Sequence, residues 1–429
     1  MSPKRAKLEQ TVSRGLLSGV RRGSTVRSLA RILNCAKHLT FAGVSLCALL
    51  LLAGCRPHDF PQYPANYREY AYVTNGGSGT VSVYDVVNVR LDREVQVGAN
   101  PVAVVASPHR AEVYVVNAGV NNGQGSVSVL NAENNKVAAT IPVHRHPVAL
   151  ALDPKGAFAY VANSASNNVS VLDLKARREV AAIGAGEEPA AVRVAPDGKT
   201  LVVANRRGDS VSLVDPASGR VRAVFEGCPG ASDIAILPDS SKAFVACSAG
   251  HQIMAIALAR FGQPGAPQAD RLEALLDVGR APVELALKPD GGEIFVSNSL
   301  SDTISEVITG TDDVLGAYLM GDDPVLGLVS SDNSLLYVGN LRSQEVTIYA
   351  IEDGKRAGTI HVGDGPAALA FSAAGHLLFV VDSRSGDVAV VRTASVRAAT
   401  NSGVPLPLFT ILPAGRDPNA IAVKGFRLQ

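Results

Sequence analysis

Ala71-Tyr72-Val73-Thr74-Asn75 returns along the chain as Ala159-Tyr160-Val161-Ala162-Asn163 and Leu201-Val202-Val203-Ala204-Asn205, so one repeated unit builds most of the sequence. The unit's last position falls at Asn75, Asn117, Asn163, Asn205, Cys247, Asn298, Asn340 and Asp382, at spacings of 42, 46, 42, 42, 51, 42 and 42. Within each unit, period-two apolar runs alternate with turn residues, and no stretch sustains a helical period. A period near 42 residues suits one four-stranded blade of a β-propeller.

The strands of one unit read Pro189 to Ala195, Leu201 to Asn205, Val211 to Asp215 and Val221 to Glu226, here named A, B, C and D. A proline opens strand A at Pro101, Pro147, Pro189, Pro282, Pro324, Pro366 and Pro418, a place that tolerates a residue without an N–H; Ala231 takes it in the remaining unit. The first recognisable strand, Ala71 to Asn75, is a B, and the last, Pro418 to Lys424, is an A with nothing after it. Completion of the first sheet by the last strand closes a ring of eight blades over residues 71 to 429 and removes the open edge.

This grammar resembles the YVTN-type β-propeller repeats of bacterial and archaeal envelope proteins over residues 71 to 424. Beyond the Tyr-Val-x-Asn strand, the resemblance includes Val81-Ser82-Val83-Tyr84-Asp85, Val169-Ser170-Val171-Leu172-Asp173 and the Val-Gly-x-x-Pro runs ending at Pro101, Pro282 and Pro366. Members of that family often have seven blades, which is the alternative to the count of eight.

The N-terminus points to export. Residues 1 to 38 carry nine basic residues against the single acid Glu9, and Leu39 to Ala53 is almost wholly apolar. That run is short for a membrane span, which takes about 20 residues. Leu52-Ala53-Gly54-Cys55 resembles the lipobox of bacterial lipoproteins, which implies a signal peptide over residues 1 to 54 and a lipidated Cys55. Residues 55 to 70, with Pro57, Pro61 and Pro64, then read as a stiff tether. The expected location is the envelope, anchored by lipid; with two membranes, Arg56 after the cysteine resembles outer-membrane sorting, facing the periplasm or the cell surface.

Without the leader, 31 basic residues face 38 acidic ones, a net charge near −7 that opposes nucleic-acid binding through phosphate neutralisation. Aromatic residues make up only 5% and tryptophan is absent, so small and β-branched side chains have to fill the blade interfaces. Cys35 and Cys47 leave with the leader and Cys55 takes lipid, which leaves Cys228 and Cys247 as a candidate disulfide in an exported domain.

Antiparallel hairpins place D-to-A connections and B–C loops on one face, around one mouth of the central channel. Candidate ligand-binding positions there are His144, Arg145, His146, Glu187, Glu188, Arg280, Asp322, Asp323, Asp364, Arg416 and Asp417, mostly acids. Two imidazoles on one loop suit a metal or haem iron, and the acids suit a divalent cation or cationic partner. Solvation and turn formation explain the same residues without a ligand. Asn121-Asn122-Gly123-Gln124 lengthens one B–C loop on this face. On the other face, Ala259 to Ala269 and Arg397 to Pro407 enlarge two C–D connections.

The sequence lacks Cys-x-x-Cys-His, Gly-x-Ser-x-Gly, His-Glu-x-x-His and a phosphate-binding Gly-rich loop with its lysine. The expectation is an envelope-anchored, monomeric lipoprotein whose propeller is a rigid scaffold for a protein, glycan or small ligand, with no cofactor and no catalytic residue assigned. The alternative is a haem- or metal-binding oxidoreductase-like propeller; a lactonase-like hydrolase ranks third.

Overall fold

Residues 62–260, 265, 267–400 and 408–428 are described by a computed structural model, with side chains omitted at 397–400. The leader, the lipobox with Cys55, and parts of both C–D insertions lie outside the described residues. Among the described residues, thirty-two strands form eight four-stranded antiparallel sheets, and in seven of them the strands follow chain order. The eighth joins Tyr67–Asn75, Thr80–Asp85 and Arg90–Gln96 to the final strand, Pro418–Arg427; it is blade 1. Blades 2 to 8 begin with the A strands at Pro101, Pro147, Pro189, Ala231, Pro282, Pro324 and Pro366. The expected eight-bladed ring closed by the C-terminal strand is therefore the observed one.

Every A strand packs against the A strands of both neighbouring blades, so the eight form the inner wall around the axis. Alternation sends one side of each B and C strand into each blade interface. Val116, Val127, Val129, Ile141, Val161 and Leu172, for example, meet in one continuous apolar cluster between blades 2 and 3. Each such aliphatic side chain, fully buried, contributes roughly 1.5–3 kcal/mol. Eight of the aromatic residues, Tyr72, Tyr84, Tyr114, Phe244, Phe295, Tyr337, Tyr349 and Phe379, are fully enclosed.

The repeated Asn closing strand B is a clamp. Asn117 Oδ1 accepts the N–H of Gly98 in the preceding D-to-A connection at 3.1 Å, and its amide donates to Ser126 and Ser128 of strand C at 3.1 and 3.0 Å. Asn75 and Asn205 make the same bonds in blades 1 and 4. The glycine is required by this close approach, since a Cβ on Gly98 would lie 2.6 Å from Asn117 Cγ. In blade 5, Cys228 and Cys247 occupy the glycine and asparagine places and are joined by a disulfide, with Cα atoms 4.7 Å apart.

Two departures from expectation exceed a residue or two and have a clear physical cause. The first strand starts at Tyr67 rather than Ala71, because Tyr67 to Tyr70 pair with Arg427 to Lys424 at the end of the closing strand. A helix, Thr393–Thr400, also follows the C strand of blade 8; Val396 is fully buried beneath it, which anchors a turn too short to give a periodic signal.

Candidate functional site

One backbone device shapes the mouth at the D-to-A end of the channel. The residue before each A strand has φ between 51° and 74°: Asn100, His146, Glu188, Gly230, Ala281, Asp323, Gly365 and Asp417. Its carbonyl accepts the N–H of the residue that follows strand B in the same blade, as in Ser164 to His146 at 2.9 Å and Arg206 to Glu188 at 2.9 Å. Asn, Asp and Gly tolerate this left-handed conformation best, so the composition of the mouth has a conformational cause.

A cavity of about 540 Å³ opens there on blades 2 to 4, lined by Asn122, His146, Val148, Ser164, Ala165, Glu188, Ala190, Arg206 and Arg207. Asn122 stands on the lengthened B–C loop of blade 2, where Asn121 and Asn122 both adopt positive φ and Arg145 Nε donates to the Asn122 carbonyl at 3.1 Å. Arg207 Nε lies 3.1 Å from Glu187 and Arg206 Nη1 lies 3.9 Å from Glu188. His146 Nδ1 is buried without a hydrogen-bond partner among the described residues. Ser164 Oγ donates to the His146 carbonyl at 3.0 Å rather than to an imidazole. The cavity offers donors and acceptors of both charges for recognition.

Of the expected positions, His146, Glu188 and the Asn122 loop meet in this cavity, and Arg145 and Glu187 support it. His144 does not join them. The D strand of blade 2 runs on through Lys136–Arg145, and His144 Nε2 faces Glu179 Oε1 of blade 3 at 3.2 Å, beside a separate cavity of about 310 Å³. The two histidines therefore do not converge as a ligand pair. Nor do three or more His, Cys, Asp or Glu side chains gather as metal ligands among the described residues.

The mouth is also mixed in charge where an acidic surface was expected. Asp323 meets Arg342 at 3.2 Å and Asp364 meets Arg384 at 3.5 Å, each arginine lying two residues past the same blade's B strand. The Asp322 and Asp417 carbonyls accept the Arg342 and Gly76 N–H groups, while Arg280 and Arg416 donate to the carbonyls of Leu300 and Gly77.

A second charged feature, absent from the expectations, lies on the inner wall. Counted from the opening residue, the third position of strand A is alanine or leucine in six blades but Asp233 in blade 5 and Glu284 in blade 6; the fifth is alanine, valine or leucine except for Arg193 in blade 4. Arg193 Nη2 lies 3.4 Å from Asp233 Oδ1, and Asp233 Oδ2 accepts the Leu285 N–H at 3.1 Å. Glu284 Oε2 accepts the Gly327 N–H. Surrounding protein desolvates Glu284 even though it borders a cavity, and this, with the nearby Asp233 charge, holds its carboxyl well above the usual range. Stacking the eight A strands position by position would have exposed these three residues in the sequence.

Among solved structures, the chain is similar to dihydro-haem d1 dehydrogenase NirN in complex with DHE, at 17% identity over 85% of this chain and 76% of that one, with a TM-score of 0.65. A candidate 6-phosphogluconolactonase from Bacteroides uniformis gives 14% identity, coverages of 83% and 99%, and a TM-score of 0.57. Kuenenia stuttgartiensis hydrazine synthase gives 22% identity, coverages of 65% and 91%, and a TM-score of 0.50. These likenesses show a shared propeller fold. No curated protein matches the sequence. Residues 53–180 match the model of the lactonase, 7-bladed β-propeller family, under a third of the chain. The match to the YNCE-like β-propeller model spans residues 137–390, more than half of the chain, and its repeats are the ones that build the ring: the protein belongs to the YNCE-like β-propeller family.

Proposed function

We propose that this protein is an exported lipoprotein, anchored to the envelope through Cys55, whose YVTN-type propeller is a rigid binding scaffold. Its ligand is a polar molecule or polar group of a partner, such as a glycan, held in the mouth cavity of blades 2 to 4. The observation that supports this most is the convergence of Asn122, His146, Glu188, Arg206 and Arg207 around about 540 Å³ of space. That lining carries both donors and acceptors, which suits a ligand carrying both. The basic leader, apolar run and Leu52-Ala53-Gly54-Cys55 support the anchor.

The test places a photo-crosslinking residue at Asn122 of the full chain and irradiates intact cells. A discrete adduct that disappears when Arg206 and Arg207 are both changed to alanine supports the reading. An adduct indifferent to those arginines counts against the cavity, and a Cys55→Ser protein that stays with the membrane counts against the anchor.

A further inference from the structure

The charged arc on the inner wall borders a cavity that reaches Pro196 at the A–B turn and shares no lining residue with the mouth cavity, and its chemistry is different. We propose that Arg193, Asp233 and Glu284 form a second site, which binds an organic cation consisting of an ammonium head on an aliphatic body.

The one carboxyl left without an ion pair sets the sign of the ligand. The arc carries two carboxyl groups and one guanidinium, and that guanidinium is engaged by Asp233 at 3.4 Å. Glu284 is the carboxyl without a cation. Its orientation is already fixed, because Oε2 receives the Gly327 N–H, and Oε1 is the oxygen left for a ligand. The Leu285 N–H fixes Asp233 in the same way. The carboxyl groups are thus held in place by backbone donors of the next blade, and a ligand does not have to order them.

The space beside them sets the ligand's body. A cavity of about 300 Å³ adjoins the arc, bounded by Val194, Pro196, Ile234, Ile236, Leu285 and Leu287. An aliphatic chain fits that lining, while its ammonium reaches Glu284. Desolvation, then the Asp233 charge, raises the Glu284 carboxyl well above its usual range, against the lowering effect of the Gly327 N–H and of Arg193. An arriving ammonium favours the ionised form, so binding is coupled to loss of the Glu284 proton to bulk solvent.

Hexylammonium titrated calorimetrically into the full chain, in two buffers of different ionisation enthalpy, tests the site. Expected are one bound equivalent, proton release on binding, and at least tenfold weaker binding to Glu284→Gln, which keeps an acceptor for the Gly327 N–H. Arg193→Leu should bind more tightly than the parent, a gain that damage to the fold would not give. Hexanol or hexanoate binding as well as hexylammonium, unchanged affinity in Glu284→Gln, or weaker binding to Arg193→Leu would overturn the proposal.

Discussion

Cys228 and Cys247 stand where Gly186 and Asn205 stand one blade earlier, so a covalent bond replaces the hydrogen bond that ties the D-to-A connection to strand B. The exchange reaches a third residue. Asn205 donates to Ser210 and Ser212, whereas the equivalent C-strand places in blade 5 hold Gln252 and the fully buried Met254. Changing both cysteines to alanine should cost about 3 kcal/mol, the loop-closure value for a short disulfide loop. Cys228→Gly with Cys247→Asn should recover little, because the new amide faces a thioether. Adding Met254→Ser should recover a substantial part. Denaturant melts of the four proteins check this order, and a double variant as stable as the triple would refute the role given to Met254.

Asp382 takes the asparagine's place in blade 8. Its Oδ2 accepts the Gly363 N–H at 3.0 Å, and its other oxygen faces Asp387 in a buried setting. Burial, then the Asp387 charge, pushes the Asp382 carboxyl up to about 8. The native state therefore holds a proton that the unfolded chain releases near pH 4. Stability is full below about pH 4 and declines as pH rises through about 8. Asp382→Asn supplies a permanent N–H donor to Asp387, and should match the parent at pH 4 and exceed it by roughly 1–3 kcal/mol at pH 8. Melting curves over that range that stay parallel would contradict the shared proton.

What could be read from the sequence followed from repetition. Pro at the start of strand A, Asn at the end of strand B and a surplus A strand at the C-terminus each recur at fixed spacing, and together they specify the closed ring. Features involving single blades were harder to see. Tyr67, Arg68 and Glu69 look like tether because their strand partners lie more than 350 residues away. His144 and His146 look like a pair, but a D strand that runs on through Arg145 directs one to the rim and the other to the mouth. The arginines that answer the mouth acids lie on a different loop, about 20 residues downstream, and only the hairpin brings them together.

Removing residues 418–429 should undo more than one blade. The last strand pairs with all nine residues of Tyr67–Asn75 and packs against the A strands of blades 2 and 8. Nearby, Glu69 is buried and accepts Tyr67 Oη at 2.8 Å and the Ala373 N–H of blade 8 at 2.6 Å, so blade 1 is also stitched to its neighbour. Deletion exposes an edge and opens the inner wall at once. The truncated chain should lose its cooperative transition; a calorimetric melt coinciding with the full chain's would show that the ring does not depend on this strand.

The acids before the A strands give the last contrast. Asp323 and Asp417 have φ of 61° and 51°, and their carbonyls accept the Leu341 and Gly76 N–H groups whatever the side chain. If conformation rather than charge selects these residues, Asp417→Asn should leave stability within about 0.5 kcal/mol, since asparagine adopts this region readily. Asp417→Val should cost about 1–3 kcal/mol, because a β-branched side chain is strained there. The Asp323 pair should repeat the order, less cleanly, because Asp323→Asn also loses the ion pair with Arg342 at 3.2 Å, half-exposed on the arginine side and worth about 1 kcal/mol at most. Thermal melts of the four variants decide between the two causes: asparagine as damaging as valine would return the mouth acids to an electrostatic role.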